Sequence, residues 1–527
     1  MKKQKNKKTT SSKKYDKYQD NIARILFILI LCIQPVFLTP DRYIGLTGQK
    51  FWFFFVYMCL ILLYVSLIWI ARLMHGGMRS PDFKMLTAAD WAIIAFAFVT
   101  LISALFSPFR DVTNVWLGIT EPGGRYDGAI TQLLYAAVFF IISRWYKPQD
   151  NDLMWLSVSV IVVTMIGVLQ FFGMDFLRLW PNHMVEYRVD NFYHIYFRTT
   201  LGNTNIVSAY VCVAVLLCGF LFIKFENKWR YLSLAASALS FWLMLISASF
   251  SGMIGVAGAV LLMLPLLMQD RKVFGRFLLL GASWSLAYLL QFLFYDVIVL
   301  GTDIMSVFIA FALAALLIAS GIVLERGIVF PEFWKIKSPG STGGWKTGTI
   351  TFIICIVIGV ACIEVLGARA ADTGGGVIYE LRGVLHGQID DTFGTNRVYI
   401  WRNALSIAPE NLLIGTGPDT FGHAFPSDAQ QFFGDFYDKA HNEYLQILIC
   451  QGVLGLLFYL VFLVDVFRKS IIGAFRNEWV AVALVAFTGY LIQAFFNISQ
   501  PITGPFLFVI AGLLMNEKVR NMPRGGH

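Results

Sequence analysis

The sequence predicts an all-α protein that crosses a membrane many times. Hydrophobic residues make up 57% of the 527-residue chain and charged residues only 14%, whereas charged residues make up about 25% of an ordinary soluble domain. The mean hydropathy is +0.65. The apolar residues also fall into stretches long enough for a helix to span the hydrocarbon layer of a bilayer. We therefore predict a polytopic membrane protein with one large polar loop late in the chain.

The apolar stretches predict about 14 transmembrane helices, within a range of 12–14. A very tight turn at residues 249–251 joins the seventh and the eighth. The predicted spans are residues 22–38, 51–73, 89–106, 129–145, 153–172, 206–223, 231–248, 252–268, 276–295, 303–324, 347–366, 441–466, 479–496 and 501–515.

Charge predicts that both termini lie in the cytoplasm. With the basic N-terminus inside, the inner segments contain about 30 of the 42 Lys and Arg residues, as the positive-inside rule requires. The large loop is then extracytoplasmic, and short helices are expected in it. The predicted divisions are a basic cytoplasmic tail (1–21), transmembrane helices 1–11 (22–366), the large loop (367–440), transmembrane helices 12–14 (441–516) and a cytoplasmic tail (517–527).

Composition also argues against several classes of function. Much of the net charge of +9 comes from residues 2–17, and a basic tail beside a span is a topology signal, so nucleic acid is not an expected partner. The seven cysteines lie in apolar stretches without metal-ligand spacing, and neither a metal nor a cofactor is expected. The predicted membrane cores are almost free of ionisable residues, which counts against an ion-coupled transporter.

The large loop contains a predicted helix with an arginine and a tryptophan on one face. Thr395 or Asn396 would begin this helix and Pro409 follows its end. Arg397 and Trp401 are four residues apart and therefore share a face. The arginine could point its guanidinium at a lipid headgroup; alternatively, the pair is a surface salt bridge beside an interfacial aromatic anchor.

Two other outer segments could bind an anion. The glycine-rich segment 413–422 either offers backbone N–H groups to an anion or forms a turn between helices. Arg198 precedes Asn203, Asn205 and the outer N-terminus of the sixth span, where the helix dipole favours phosphate. Arg198 would add a planar fork of donors; alternatively, the two asparagines are caps and Arg198 is an interfacial anchor.

His441 begins the twelfth predicted span, where the large loop re-enters the membrane. The N-terminus of this helix points outward, and its dipole disfavours an imidazolium, so the neutral base is expected near pH 7. Such a histidine is otherwise a cap or a surface residue. A catalytic role is favoured because His441, Arg198 and Arg397 are all predicted at the same membrane face.

These patches resemble the O-antigen ligase and O-antigen polymerase superfamily of membrane glycosyltransferases. The resemblance rests first on His441-Asn442, followed after nine residues by Gly452 and Gly455. It also rests on the Arg397-Trp401 helix with its glycine-rich turn, and on Arg198 ahead of Asn203 and Asn205. The chain departs from the family's frequent Ser-Arg-Gly turn, because it reads Ser249-Phe250-Ser251-Gly252.

The resemblance implies transfer of a glycan from an undecaprenyl-pyrophosphate carrier to a hydroxyl acceptor at the outer face of the bacterial cytoplasmic (inner) membrane. It implies that His441 takes the proton from the acceptor hydroxyl and that Arg198 and Arg397 hold the pyrophosphate. A single displacement would invert the anomeric carbon, and two guanidiniums would make a metal unnecessary. The supporting residues implied by the same strings are Asn203, Asn205, Trp401, Asn442, Gly452 and Gly455.

The sequence leaves the acceptor open. A ligase would transfer the glycan to another saccharide, a polymerase to a second repeat unit, and a protein O-oligosaccharyltransferase to a protein hydroxyl. A lipid-linked glycan exporter is the alternative from a different class, with an outer loop that only gates the path.

Overall fold

The computed structural model describes residues 2–74, 86–119, 125–180, 197–247, 250–268, 271–290, 304–326, 377–430 and 437–522, with most of 352–368. Within these ranges the chain is almost entirely helical. One antiparallel hairpin joins β1 (Phe197–Arg198) to β2 (Gly202–Asn203).

The helices of the first part of the chain are α1 (Lys2–Ile28), α2 (Gln34–Val36), α3 (Leu46–Met74), α4 (Ala88–Leu105), α5 (Ala129–Trp145), α6 (Asp150–Phe171), α7 (Thr204–Lys224), α8 (Arg230–Ile246), α9 (Phe250–Leu262), α10 (Leu264–Leu267), α11 (Arg271–Leu290) and α12 (Ile304–Glu325). The remaining helices are α13 (Phe352–Val365), α14 (Val377–Leu385), α15 (Phe393–Ile407), α16 (Phe421–Ala424), α17 (Ser427–Gln430), α18 (Glu443–Ala474), α19 (Glu478–Ala494), α20 (Gly504–Met515) and α21 (Glu517–Arg520).

The all-α, polytopic prediction is confirmed. In the described part of the chain, eight helices are long and apolar enough to cross a membrane, and six shorter apolar helices of 10–17 residues accompany them. Together they lie at the positions of the predicted apolar stretches. The number of spans and their orientation stay predictions. The first candidate span begins at Tyr15, earlier than the predicted start at residue 22. Helix α1 starts at Lys2, so the expected cytoplasmic tail is helical and continuous with the first membrane helix.

Hydrogen bonds between α4 and α18 define the two ends of the helix bundle. The Ala89 N–H, at the start of α4, donates to Asp465 late in α18 (2.9 Å). The Ser103 hydroxyl, near the end of α4, donates to the Cys450 carbonyl early in α18 (2.7 Å). The two helices are therefore antiparallel, and the segment that precedes α18 lies at the end of the bundle opposite Asp465.

Both chain termini lie at the Asp465 end. Asp90, beside Ala89, pairs with Arg144 near the end of α5 (2.7 Å). The next residue, Trp145, accepts a hydrogen bond from Lys518 (3.2 Å), and Lys518 also pairs with Asp20. Asp20 of α1 and Lys518 of α21 are thus on one side, as the predicted cytoplasmic placement of both tails requires.

Helix α7 lies at the centre of the bundle, and the whole of its apolar window is buried. Asn203 caps it, as predicted, by accepting a hydrogen bond from the Asn205 N–H (2.8 Å). The Asn205 carbonyl accepts from the Asn497 side chain just beyond α19 (2.8 Å). Of the predicted tight turn at 249–251, Ser249 lies outside the described residues, and Phe250 and Ser251 begin α9. The Gly252 N–H of this helix donates to the Ser208 hydroxyl of α7 (2.8 Å).

Helix α18 is broken at Gly452, where φ is 71° and ψ is −175°. Only glycine adopts this conformation readily. The break leaves N–H groups of the second half of the helix without helical partners. Instead, Val453 and Leu454 donate to the carbonyls of Leu412 and Leu413 in the large loop (2.7 and 3.2 Å). A chain segment of the loop thus completes the backbone hydrogen bonding of a membrane helix.

The glycine-rich turn also completes the first half of α18. The N–H groups of Thr416 and Gly417 donate to the carbonyls of Ile449 and Cys450 (both 2.9 Å). At Gly415, a Cβ atom would lie 2.3 Å from the Cys450 carbonyl carbon. The turn alternative is therefore correct for this segment. An anion site at these two N–H groups is wrong, because the helix break already uses them.

Candidate active site

The segment before α18 places His441 at the rim of the bundle. His441 has a φ of 48°, in the left-handed region that non-glycine residues rarely adopt. Asn442 then caps α18, because its side chain accepts a hydrogen bond from the Leu445 N–H (3.1 Å). The helix thus begins at Glu443. Since Asn442 does the capping, the imidazole of His441 is not used for it.

The His441 imidazole is a neutral base at pH 7. Burial lowers its pKa to about 4, the positive charges of Arg397 and Arg125 add to this effect, and Asp438 opposes it. The sequence argument relied on the helix dipole alone, whereas burial and two guanidiniums dominate here. Among the described residues, Nδ1 of this ring is buried without a hydrogen-bond partner.

Helix α15 presents Arg397 to the same space. Gly394, Thr395 and Asn396 all have left-handed φ values, of 63°, 61° and 65°, so the regular helix begins at Arg397, later than predicted. Arg397 Nη1 donates to the Gly394 carbonyl (2.5 Å). Its Nε is buried and has no partner in the described ranges. Burial lowers the pKa of Arg397, with Glu380 opposing, which shows that its charge is poorly solvated.

Trp401 fastens α15 to the segment that carries His441. Its indole Nε1 donates to the Ala440 carbonyl (3.0 Å). Its ring also packs edge-on against Phe495, with centroids 5.4 Å apart. Arg397 and Trp401 therefore share a face, as predicted, but this face packs on the residue next to His441 and on the end of α19.

Arg198 lies in the hairpin before α7, at the same end of the bundle. It is only 8% exposed, and its guanidinium lies over the Phe171 ring, 5.2 Å from the centroid. The guanidiniums that shift the pKa of His441 are instead those of Arg397 and Arg125. A direct role of Arg198 beside His441 stays a prediction.

A buried ion cluster that sequence reasoning missed lies behind His441. Lys439 Nζ is 2.5 Å from Asp419 Oδ1 and 3.8 Å from Asp127 Oδ2. Burial alone would lower the pKa of Lys439, but the two carboxylates outweigh it and the pKa is raised. Burial raises the pKa of Asp127, although Lys439 opposes this. These residues come from three separate loops, so no spacing in the sequence connects them.

The cluster is a salt bridge and not a set of cation ligands, since a lysine neutralises the carboxylates. Within the described ranges, no group of three or more His, Cys, Asp or Glu side chains could hold a metal ion. The predicted metal independence is not tested by this and stays a prediction.

Gly452 and Gly455 serve the helix break. Besides its backbone conformation, Gly452 has no room for a side chain, because a Cβ atom would lie 2.4 Å from the Leu413 carbonyl carbon. At Gly455, a Cβ atom would lie 2.4 Å from the Cβ of Gln451. The supporting roles expected of both glycines have a physical basis in the close approach of the loop and in the tight turn that follows the break.

Residues 235–460 match the model of a protein family described as O-antigen ligase. The matched segment is therefore similar to the O-antigen ligase family. This segment runs from α8 into α18 and includes Arg397, Trp401, His441 and Gly452, whereas Arg198 precedes it. No match to a curated protein was found for the chain.

The match to the O-antigen ligase family confirms the family resemblance found in the sequence. Together with the apolar helices, it supports a membrane protein of the ligase or polymerase type that acts in polysaccharide biosynthesis. It also fits a multi-pass protein of the bacterial inner membrane.

Proposed function

We propose that the protein is an integral-membrane glycosyltransferase of the O-antigen ligase type, which transfers a glycan from an undecaprenyl-pyrophosphate carrier to a hydroxyl acceptor at the outer membrane face. The observation that carries this proposal is that His441 and Arg397 are close enough to interact electrostatically and that each has a buried polar atom without a partner among the described residues. In the described part of the chain, His441 Nδ1 and Arg397 Nε are both buried without a partner. Buried polar atoms are normally hydrogen-bonded, so these atoms are suited to a polar ligand.

The two side chains suit the chemistry of glycosyl transfer. Neutral His441 accepts the proton of the acceptor hydroxyl as its oxygen attacks the anomeric carbon. The bond from that carbon to the pyrophosphate oxygen breaks, and the leaving group keeps the electron pair. Arg397, with Arg198 as the second proposed contact, offsets the growing negative charge. One displacement inverts the anomeric carbon, and the guanidiniums supply the positive charge without a metal.

Donor binding would also strengthen the base. In the structure, burial lowers the pKa of His441 to about 4, and the positive charges of Arg397 and Arg125 add to this effect. A bound diphosphate brings negative charge to the same place, and negative charge favours the imidazolium. The pKa of His441 should therefore rise towards neutrality when the donor is present. A base close to the working pH is more effective, so the base becomes active with the donor in place.

The position of the site supports chemistry on a lipid-linked substrate. His441 lies where the large loop meets α18, at the bundle end opposite both termini. If the termini are cytoplasmic, as their charge predicts, this end faces outward. A carrier lipid can then keep its chain among the apolar helices while its pyrophosphate reaches the arginines.

The test uses purified full-length protein, a lipid-linked glycan and an acceptor in detergent. His441→Ala and Arg397→Ala should each reduce turnover by about a hundredfold or more, because general base catalysis and charge stabilisation are each typically of this size. Arg402→Ala is the matched control, since Arg402 lies on α15 but is exposed and pairs with Asp391 (2.8 Å). Unchanged transfer by a folded His441→Ala protein would contradict the proposal.

The same assay separates the alternatives. Turnover in detergent excludes a pure exporter, because there is no membrane to cross. Products with many repeat units would identify a polymerase, and a single addition would identify a ligase. A protein acceptor would identify an O-oligosaccharyltransferase.

A further inference from the structure

Arg125 is held in place by backbone contacts that do not depend on a ligand. It lies in the outer connection between α4 and α5. The N–H groups of Arg125 and Asp127 both donate to Asp419 Oδ2 (2.9 and 3.2 Å). Between them, Tyr126 has a φ of 58°, and its ring stacks on Phe51 with centroids 5.0 Å apart. The backbone at Arg125 and the two residues after it is thus held in place.

The side chain of Arg125 has one carboxylate partner. Its Nε donates to Asp438 Oδ2 (2.5 Å). Burial would lower the pKa of Arg125, but Asp438 and Asp419 outweigh it and the pKa is raised, so the guanidinium is charged. Within the described residues, its two terminal nitrogens donate to no protein atom, and 32% of the side chain is exposed. This edge of the guanidinium remains available.

Arg125 and Arg397 are both tied to the segment that carries His441. Arg125 bonds to Asp438, three residues before His441 (2.5 Å). The helix of Arg397 is bonded to Ala440 through Trp401 (3.0 Å). Both arginines lower the pKa of His441, while Asp438 raises it. Two guanidiniums near one neutral group repel each other in the absence of a further negative charge, and one carboxylate offsets only part of this repulsion. The arrangement therefore favours an anion beside His441. A guanidinium with a free pair of N–H groups matches the oxygens of a phosphate.

We propose that Arg125 is a further phosphate-binding residue of the site. Its terminal nitrogens contact the pyrophosphate of the lipid-linked donor together with Arg397, and Asp438 is the positioning residue that holds the guanidinium. This inference rests on the proposed function. It adds a contact from a loop more than two hundred residues ahead of Arg397, outside the segment that matches the O-antigen ligase family.

The experiment measures pyrophosphate binding by the full-length protein without turnover. Inorganic pyrophosphate is titrated against the detergent-purified protein, and the rise in Tm is followed. Arg125→Ala should raise the pyrophosphate concentration needed for half of the shift by roughly tenfold or more, the effect of losing charge-assisted hydrogen bonds. Arg125→Lys should lie in between, because lysine keeps the charge but lacks the fork. Arg402→Ala should leave the titration unchanged.

Asp438→Asn separates binding from a purely structural role. An asparagine oxygen can still accept the Arg125 Nε hydrogen bond, while the negative charge next to the anion is removed. Pyrophosphate should then bind as tightly as in the wild type or more tightly. If Arg125→Ala and Asp438→Asn instead lower Tm equally and both leave the pyrophosphate titration unchanged, the pair is structural and the inference is overturned.

The donor KM gives a second, independent reading. Arg125→Ala should raise the KM for the lipid-linked donor and leave the KM for the acceptor unchanged, and an unchanged donor KM would overturn the inference. If His441→Ala and Arg397→Ala keep full activity, the proposed function fails whatever Arg125→Ala does to the pyrophosphate titration. The two failures are therefore distinguishable.

Discussion

Lys439 Nζ lies 2.5 Å from Asp419 Oδ1, and both side chains are almost completely buried, with exposures of 1% and 2%. Asp419 also accepts hydrogen bonds from the N–H groups of Arg125 and Asp127. One ion pair therefore ties together the connection between α4 and α5, the glycine-rich turn and the segment that carries His441. The segment that carries His441 is thus held in place by contacts with two other segments.

Lys439→Met should destabilise the protein strongly. It leaves two buried carboxylates without their cation, and breaking a buried pair typically costs about 3–5 kcal/mol. The measurement is Tm in detergent. Lys469→Met is the matched control, since Lys469 pairs with Asp465 (2.9 Å) but is 26% exposed, and such pairs contribute less than about 1 kcal/mol. Equal Tm values for the two variants would contradict this assignment.

Gly452→Ala should prevent correct folding or lower Tm by much more than a typical helix substitution. The backbone conformation alone costs about 1–3 kcal/mol for a residue with a Cβ atom, and this atom would also lie 2.4 Å from the Leu413 carbonyl carbon. Gly473→Ala, in the same helix, is the control. Its Cβ would lie 3.4 Å from Val480 Cγ1, an ordinary contact. That variant should fold normally, and similar behaviour of the two would show that α18 is not broken.

The pH dependence of activity should report His441. In the free protein its pKa is lowered to about 4, so kcat/KM should stay constant from pH 7 to about 5 and fall as the pH drops through 4. The limb in kcat should lie at higher pH, because the bound diphosphate raises the pKa. Asp438→Asn should move the kcat/KM limb to lower pH, since Asp438 raises this pKa. A kcat/KM limb near 6.5 would show an exposed histidine instead.

Protein stability should respond to the same group. The folded pKa of His441 lies below its usual value of 6.5, so the unfolded chain binds more protons between these two values. The stability from neutral His441 is therefore present above pH 6.5 and lost as the pH falls towards 4. His441→Gln should reduce the acid-induced fall in Tm over this window. Identical Tm profiles for the variant and the wild type would contradict the lowered pKa.

Trp401→Phe should affect kcat more than donor binding. The substitution removes the hydrogen bond to Ala440, worth about 1 kcal/mol, but keeps an aromatic ring against Phe495. Ala440 precedes His441, and a small displacement of a catalytic group can cost up to about a hundredfold in rate. Trp155→Phe is the control, since Trp155 is 48% exposed on the surface of α6. A change confined to the donor KM would show that Trp401 does not position His441.

The sequence predicted the helices and offered the cap at Asn203 as one of two alternatives. It also placed Arg397 and His441 at a common membrane face, which stays a prediction. These predictions rest on apolar length, cap chemistry and loop charge, which act locally. The structure brings Arg397 close enough to shift the pKa of His441. Arg198 was predicted from the same logic, yet helix ends at one membrane face are spread over the whole bundle. A shared face therefore does not determine which arginine lies next to the imidazole.

Other features depend on contacts between distant segments and could not be predicted. Residues 441–466 read as one apolar stretch, and Gly452 alone does not reveal a break. The only sequence signal of the break was the glycine-rich segment around Gly415. Its glycine allows the close approach of another backbone, but the sequence does not show which backbone that is. Lys439 and Arg125 also formed no recognisable pattern in the sequence. Arg125 pairs with Asp438, which lies in a different loop, and Lys439 pairs with Asp419, which lies earlier in the large loop without a regular spacing.

The broken helix α18 has a consequence for biogenesis. The hydroxyl of Ser103 donates a hydrogen bond to the Cys450 carbonyl, 347 positions later in the chain. The same carbonyl also accepts a hydrogen bond from the N–H group of Gly417 in the loop. The contacts around Cys450 can therefore form only after nearly the whole chain has been synthesised. A chain released from the ribosome before α18 has emerged cannot form this site, so an early truncation product should be inserted but inactive.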